Sequence, residues 1–164
     1  MNFDDAFASL MAVEESYWDD PEGGPTMYGV TERVARAWGY LGDMRQLPLT
    51  TARSIAKSEY WDRYQCDQFA PAIGYQIFDA AYNGGMPVRW LQAAVGATVD
   101  GVIGPSTLAR VRGADPAKAV LSFNAQRLKY LVSLSNWPGN SKGWAIRIAD
   151  NLMRGVARWT FPQS

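Results

Sequence analysis

Four prolines limit what this chain can become more than any other feature does. Pro71, Pro87, Pro105 and Pro116 each head a segment whose apolar residues recur every three or four positions. Proline lacks the N–H that a first-turn residue leaves unbonded anyway, and its fixed φ suits the first helical position. Glycines stand at the other ends, as at Gly39 and Gly84-Gly85, where a left-handed residue can stop a helix. This punctuation predicts helices over 71–83, 87–95, onward from 105, and over 116–134, the last capped by Asp115. Thr31 is placed to cap a helix ending at Trp38, and Thr50 or Thr51 to cap one running towards Tyr64. Inward stripes are predicted at Ile73, Ile77, Ala80 and Ala81, at Trp90, Leu91 and Ala94, and at Val120, Phe123, Leu128 and Leu131. The run Asn136–Trp144 reads as a turn before a final helix. Strand-like alternation is scarce, so the fold class is mainly α.

At the N-terminus Phe3, Phe7, Leu10 and Glu14 follow one another at intervals of four, three and four, which puts all four on one face of a helix. A carboxylate at the end of an apolar stripe has two readings. Paired with an arginine, it is an ordinary helix-end charge. Desolvated, it holds its proton to higher pH, which is what a general acid requires. Periodicity alone leaves both open. The next residues, Ser16 to Pro25, carry Tyr17, Trp18, three acids and four turn formers. Proline, glycine and short acids make this a loop, and Met27–Val30 reads as a short extended piece after it. Solvation accounts for the acids and core packing for Tyr17 and Trp18. Two carboxyls flanking a cleft with aromatics beside them is also the layout that glycosidic-bond cleavage uses.

The same stretch resembles the start of the glycoside hydrolase family 108 lysozymes, a phage-type muramidase family. Their Glu-Gly-Gly-Tyr, Asn-Asp-Pro, Gly-Gly and Thr-x-Tyr-Gly-Ile-Thr elements correspond here to Glu14-Glu15-Ser16-Tyr17, Asp19-Asp20-Pro21, Gly23-Gly24 and Thr26-Met27-Tyr28-Gly29-Val30-Thr31. Tyr60-Trp61-Asp62, the run Phe78–Gly84 and the Pro138–Trp144 stretch are similar to further family segments. Asp100-Gly101-Val102-Ile103-Gly104-Pro105-Ser106-Thr107 is similar to a motif of peptidoglycan-binding modules. Two departures stand out: Glu15-Ser16 replaces the two glycines, and the acidic loop is shorter.

The resemblance implies a lysozyme-like helical fold with a small irregular or β loop region near the active site. It divides the chain into a muramidase region, 1–95, and a peptidoglycan-binding helical region, 96–164, packed as one unit. It implies hydrolysis of the β-1,4 bond between N-acetylmuramic acid and N-acetylglucosamine, with Glu14 as general acid. The shorter loop leaves open whether Asp19, Asp20 or neither matches a family Asp. The reading adopted is that a loop Asp, Asp20 first, stabilises the oxocarbenium-like transition state or positions water, that Thr26 helps place that water, and that Tyr17, Tyr28 and Asn83 hold the glycan. Asp79 is either a second carboxyl or a support for the loop. Two alternatives stay open: a lytic transglycosylase, and a non-catalytic wall-binding protein.

Composition excludes other chemistries. There is no histidine and a single cysteine, Cys66, which removes Ser-His and Cys-His nucleophile systems, His-rich metal sites and any internal disulfide; no metal and no cofactor is expected. No apolar run is long enough to span a bilayer and no signal peptide is evident. The expectation is therefore a monomer made in the host cytoplasm that reaches the wall by a separate release route such as a holin. Charge is uneven. Residues 1–80 hold thirteen acids and six bases, a net −7, and residues 81–164 three acids and ten bases, a net +7. An acidic front half suits an active-site cleft and a basic back half an anionic partner. Peptidoglycan is the expected substrate. In the last helix Arg147, Asn151, Arg154 and Arg158 oppose Trp144, Ile148, Leu152 and Trp159. This helix either docks its apolar side on the core with the arginines outward, the reading preferred, or contacts anionic wall polymer or membrane. No nucleic acid is expected as a partner.

Overall fold

The computed structural model describes residues 1–14, 17–20 and 24–156, without the side chains at positions 13, 14, 20 and 156. The sequence features at Glu15-Ser16, Pro21–Gly23, Arg158 and Trp159 lie outside it. Among the described residues there are eight α-helices and one three-stranded antiparallel sheet. The chain forms two compact units, Met1–Arg63 and Tyr64–Ser164.

The first unit is founded on α1 (Phe3–Glu14). Its stripe packs inward: Phe3, Ala6, Phe7, Leu10 and Met11 are all buried, and each large apolar side chain taken from water contributes roughly 2 kcal/mol. Phe3 stacks on Phe7 at 5.8 Å and meets the edge of Trp61 at 5.6 Å, so Trp61 closes this core as an aromatic at that spacing should. The sheet follows: β1 (Trp18–Asp20), β2 (Gly24–Met27) and β3 (Val30–Thr31). Thr31 then caps α2 (Glu32–Trp38), its hydroxyl accepting from Val34 N at 3.4 Å, and Gly39 ends the helix at φ 99°. After a 3-10 turn, Met44–Gln46, comes α3 (Leu49–Ile55), which runs into a π-helical segment, Ala56–Asp62. This helix starts behind Pro48 instead of Thr50 or Thr51, because Pro48 already supplies the extended residue before the first turn.

The second unit is helical throughout: α4 (Pro71–Tyr82), α5 (Pro87–Ala94), α6 (Pro105–Arg112), α7 (Pro116–Ser133) and α8 (Trp137–Val156). All four prolines stand at the first helical position, and the Asp115 carboxylate caps α7 by accepting from Ala117 N and Lys118 N. α7 packs against α4, α5 and α8. Trp90 fits between Phe123, edge-on at 5.8 Å, and Tyr130 at 5.4 Å. Since α5 packs on α4 and α7, the compact units part at Arg63–Tyr64, whereas the resemblance put a regional boundary at 95. Gly85 and Gly155 are among the described glycines that leave no room for a side chain. A Cβ on Gly85, at φ 133°, would strike the Trp90 ring, and one on Gly155 would strike Val120 where α8 crosses α7.

Two expectations are corrected. The run 136–144 is not a turn, because α8 begins at Trp137. Pro138 falls in the first turn, where its missing N–H costs nothing. Gly139 and Gly143 each weaken the helix by about 1 kcal/mol relative to alanine, and the contact of the Trp137 and Trp144 rings at 6.0 Å offsets this. On α7, Leu128 is only half-buried, while Asn124 and Arg127 are buried. Polar side chains therefore hold positions that the apolar pattern passed over.

Candidate active site

Chemistry gathers around the small sheet. Thr26 in β2 pairs with Trp18 on one side and Thr31 on the other, while Asp20 pairs with Gly24 and Met27 with Val30. Alternation along a strand then sorts the residues. Positions 18, 20, 24, 26 and 31 share one face, and positions 19, 25, 27 and 30 the other. β2 and β3 are joined by Tyr28 and Gly29, both left-handed at φ 54° and 76°, the signature of the tight turn whose twist matches a hairpin. The expected extended piece is thus a reversal of the chain. A tyrosine there is a departure, since an L side chain in that conformation costs about 1–2 kcal/mol. Such strain is held where the surroundings demand it, often at functional sites.

The expected site residues of the first unit divide between the two faces. Thr26, half-buried, and the backbone position of Asp20 lie on the face of Trp18. Tyr17 lies on the other side. Its hydroxyl donates to Asp19 Oδ2 at 3.3 Å, and the Arg45 guanidinium sits over its ring at 4.5 Å. Partial loss of water raises the Tyr17 phenol above its ordinary value; Arg45 opposes this and the Asp19 carboxylate adds to it. Glu14 is the last residue of α1, one turn beyond the fully buried Leu10. The side chains of Glu14 and Asp20 lie outside the described structure.

For Trp18 two readings were open, core packing and a place beside a cleft. Its side chain is 65% exposed, which removes core packing, and no ring or cation pairs with it among the described residues. The signal was its place among acids, proline and glycine, a context in which no apolar stripe continues.

The second unit holds the other two. Asn83 is exposed at the end of α4 and its amide donates back to the Asp79 carbonyl at 2.9 Å. Asp79 is not a surface carboxyl. It is buried, and its Oδ2 accepts from Arg127 Nη1 at 2.5 Å and from Asn151 Nδ2 at 2.8 Å, its Oδ1 from Arg147 Nη1 at 3.3 Å. Gln76 extends the network, donating to Asn151 O at 3.0 Å and accepting from Asn124 at 2.9 Å. Nearby Tyr75 is pushed up to about 12, by burial first and by the Asp79 carboxylate second. So the expected basic face of α8 turns partly inward: Arg147 and Asn151 serve Asp79, and Arg154 lies over the Tyr75 ring at 5.6 Å.

The 100–107 motif is likewise bonded internally. Gln92, fully buried, donates to Asp100 Oδ1, Val102 O and Thr107 Oγ1 at 2.6, 3.0 and 3.1 Å and accepts from Gly101 N at 2.8 Å. Donation from Val102 N and Gln92 holds the Asp100 carboxyl below its ordinary value. These bonds shape the loop, with Gln92 and Thr107 buried and Asp100 exposed. Among the described residues no three Cys, His, Asp or Glu gather as a metal site, and no helix is long and apolar enough to cross a membrane.

Residues 7–85 match the family model described as glycosyl hydrolase 108. A solved structure of Brucella abortus SagA is 29% identical, covers 99% of this chain and 98% of its own, and superposes with a TM-score of 0.87. No functionally curated sequence matches the chain.

Proposed function

Because the chain belongs to the glycosyl hydrolase 108 family, a family of lysozyme-like glycosidases acting on peptidoglycan, we propose that it is a muramidase cleaving the β-1,4 bond between N-acetylmuramic acid and N-acetylglucosamine. Glu14 gives its proton to the bridging oxygen as the C–O bond breaks. Water supplies the hydroxyl taken up by the anomeric carbon, and its remaining proton restores the acid. Asp20 stabilises the positive charge developing on the sugar or orients that water, with the Thr26 hydroxyl as its second contact. Tyr17 and Tyr28 hold the glycan. In the second unit, the exposed Asn83 amide is suited to a sugar N-acetyl group.

One observation carries the assignment. The buried stripe of α1, ending at Leu10 with 0% exposure, runs out at Glu14 where the chain leaves the helix for the sheet that bears Thr26 and the strained Tyr28 turn. A general acid of this kind needs apolar neighbours, because loss of water favours the protonated form of a carboxyl, and the α1 stripe is the apolar element nearest to position 14 in the chain. The test is product analysis on purified peptidoglycan. Wild type should release reducing ends at muramic acid, and Glu14→Gln should release them roughly 10²–10⁴-fold more slowly. Anhydro-muropeptides, lighter by one water, would identify a transglycosylase instead. Equal rates for the two proteins would remove Glu14 from the mechanism.

A further inference from the structure

We propose that Trp18 is a stacking platform for a neutral N-acetylhexosamine ring of the substrate glycan, an inference that rests on the glycosidase reading above. An indole that is 65% exposed on a three-residue strand needs an account. It does not close the core of its own unit, and no ring among the described residues pairs with it. Its backbone is nonetheless fixed, because Trp18 is paired with Thr26, the central residue of the three-stranded row Trp18, Thr26, Thr31. A rigidly mounted, open aromatic face beside a hydroxyl is a complementary surface for a pyranose. The C–H groups on one side of such a ring meet the negative face of the indole, while its hydroxyls and amide need hydrogen-bonding partners at the edge. Thr26 stands at that edge in register, with position 20 next along the same face.

Charge narrows the occupant. Residues 1–63 carry eleven acids against six bases, and Asp19 follows the tryptophan in the same strand. Such surroundings repel nucleic acid, anionic lipid and a sugar that carries carboxylates. A neutral ring is accepted, which assigns the platform to the N-acetylglucosamine unit and not to the muramic unit, whose lactyl group bears the carboxylate-carrying peptide stem. An exposed aromatic of this kind differs from Trp38, the other exposed indole among the described residues, which ends α2 at 41% exposure.

The experiment uses the full chain in four forms: wild type, Trp18→Ala, Trp18→Phe and, as a surface control, Trp38→Ala. Each is assayed for reducing-end release from solubilised peptidoglycan and titrated with the N-acetylglucosamine tetramer by isothermal calorimetry. Trp18→Ala should raise KM roughly tenfold with kcat nearly unchanged and abolish the heat signal of tetramer binding. Trp18→Phe should fall between Trp18→Ala and wild type, and Trp38→Ala should match wild type. An unchanged melting temperature in Trp18→Ala separates this loss from misfolding. If wild type hydrolyses peptidoglycan and Trp18→Ala does so with the same KM, the platform is overturned and the glycosidase reading stands. If wild type releases nothing while the tetramer signal is present and lost only in Trp18→Ala, the glycosidase reading fails and the sugar platform stands. Wild type that hydrolyses the wall and ignores the tetramer overturns the assignment to the neutral ring.

Discussion

The two units use polar side chains in opposite ways. In Met1–Arg63, acids, hydroxyls and aromatics sit on a short sheet and its turn, partly exposed, with Trp18 open and Tyr28 held in a strained conformation. In Tyr64–Ser164, the most elaborate polar groups are hidden: Asp79 is 2% exposed and Gln92 is fully buried, and both have all their principal contacts inside the unit. Polar groups left unsatisfied at a surface are available to a substrate. Polar groups satisfied in a core determine which helices touch and in what register. The contrast teaches that a spaced motif does not reveal by itself which of these two jobs it does. Asp79, in the run Phe78–Gly84, was open to a catalytic reading and holds the fold instead, while Thr107 of the 100–107 motif is a structural residue, as its sequence suggested.

That contrast can be broken in four ways. The largest effect falls in the first unit, where Glu14→Gln should remove up to about 10⁴ of the rate while leaving the denaturation midpoint where it was; a matching fall in stability would make Glu14 architectural. In the second unit Asp79→Ala should leave two arginines facing a void and destabilise the protein by about 3–5 kcal/mol, read as a lower midpoint in urea with an unchanged slope. Little loss would mean that the network is not what holds α4, α7 and α8 together. Next comes the alkaline limb. Tyr75 has its folded value raised from 10.0 to about 12, so its contribution is complete below pH 10 and declines as pH rises towards 12. Tyr75→Phe should flatten that decline, which amounts to at most about 1.4 kcal/mol per pH unit, in thermal melts taken between the two values. Smallest is Asp100. Its depressed value means that the ionised form stabilises the loop and that this support fades as pH falls through the folded value. Asp100→Asn should therefore lower the melting temperature slightly at neutral pH and narrow its gap to wild type in acid.

Much of the architecture was legible because its signals are local. Proline at the first helical position marked four helix starts, and Thr31, Gly39 and Asp115 cap the helices they were expected to cap. Pro138 misled, since the same residue type that breaks a helix interior is harmless in a first turn. What could not be read was direction. Arg127 and Asn124 point inward because Asp79 and Gln76 await them on α4, some fifty positions earlier in the chain; a periodicity that counts only apolar residues does not register a charge whose partner is remote. A stripe read as Val120, Asn124, Arg127, Leu131 would have found them. In the candidate site, Thr26 and Tyr28 were visible through the resemblance, whereas the side of the strand on which Tyr17 and Trp18 fall depends on a register that only the pairing with β2 fixes.

The Asp79 cluster has one more consequence. A single carboxylate receives hydrogen bonds from α7 and α8 while standing on α4, so no one of these helices can peel away without stranding charge in an oily interior. Fraying from one end is thereby suppressed, and α4, α7 and α8 open together or not at all, as a single cooperative block whose amide protons exchange at a common rate.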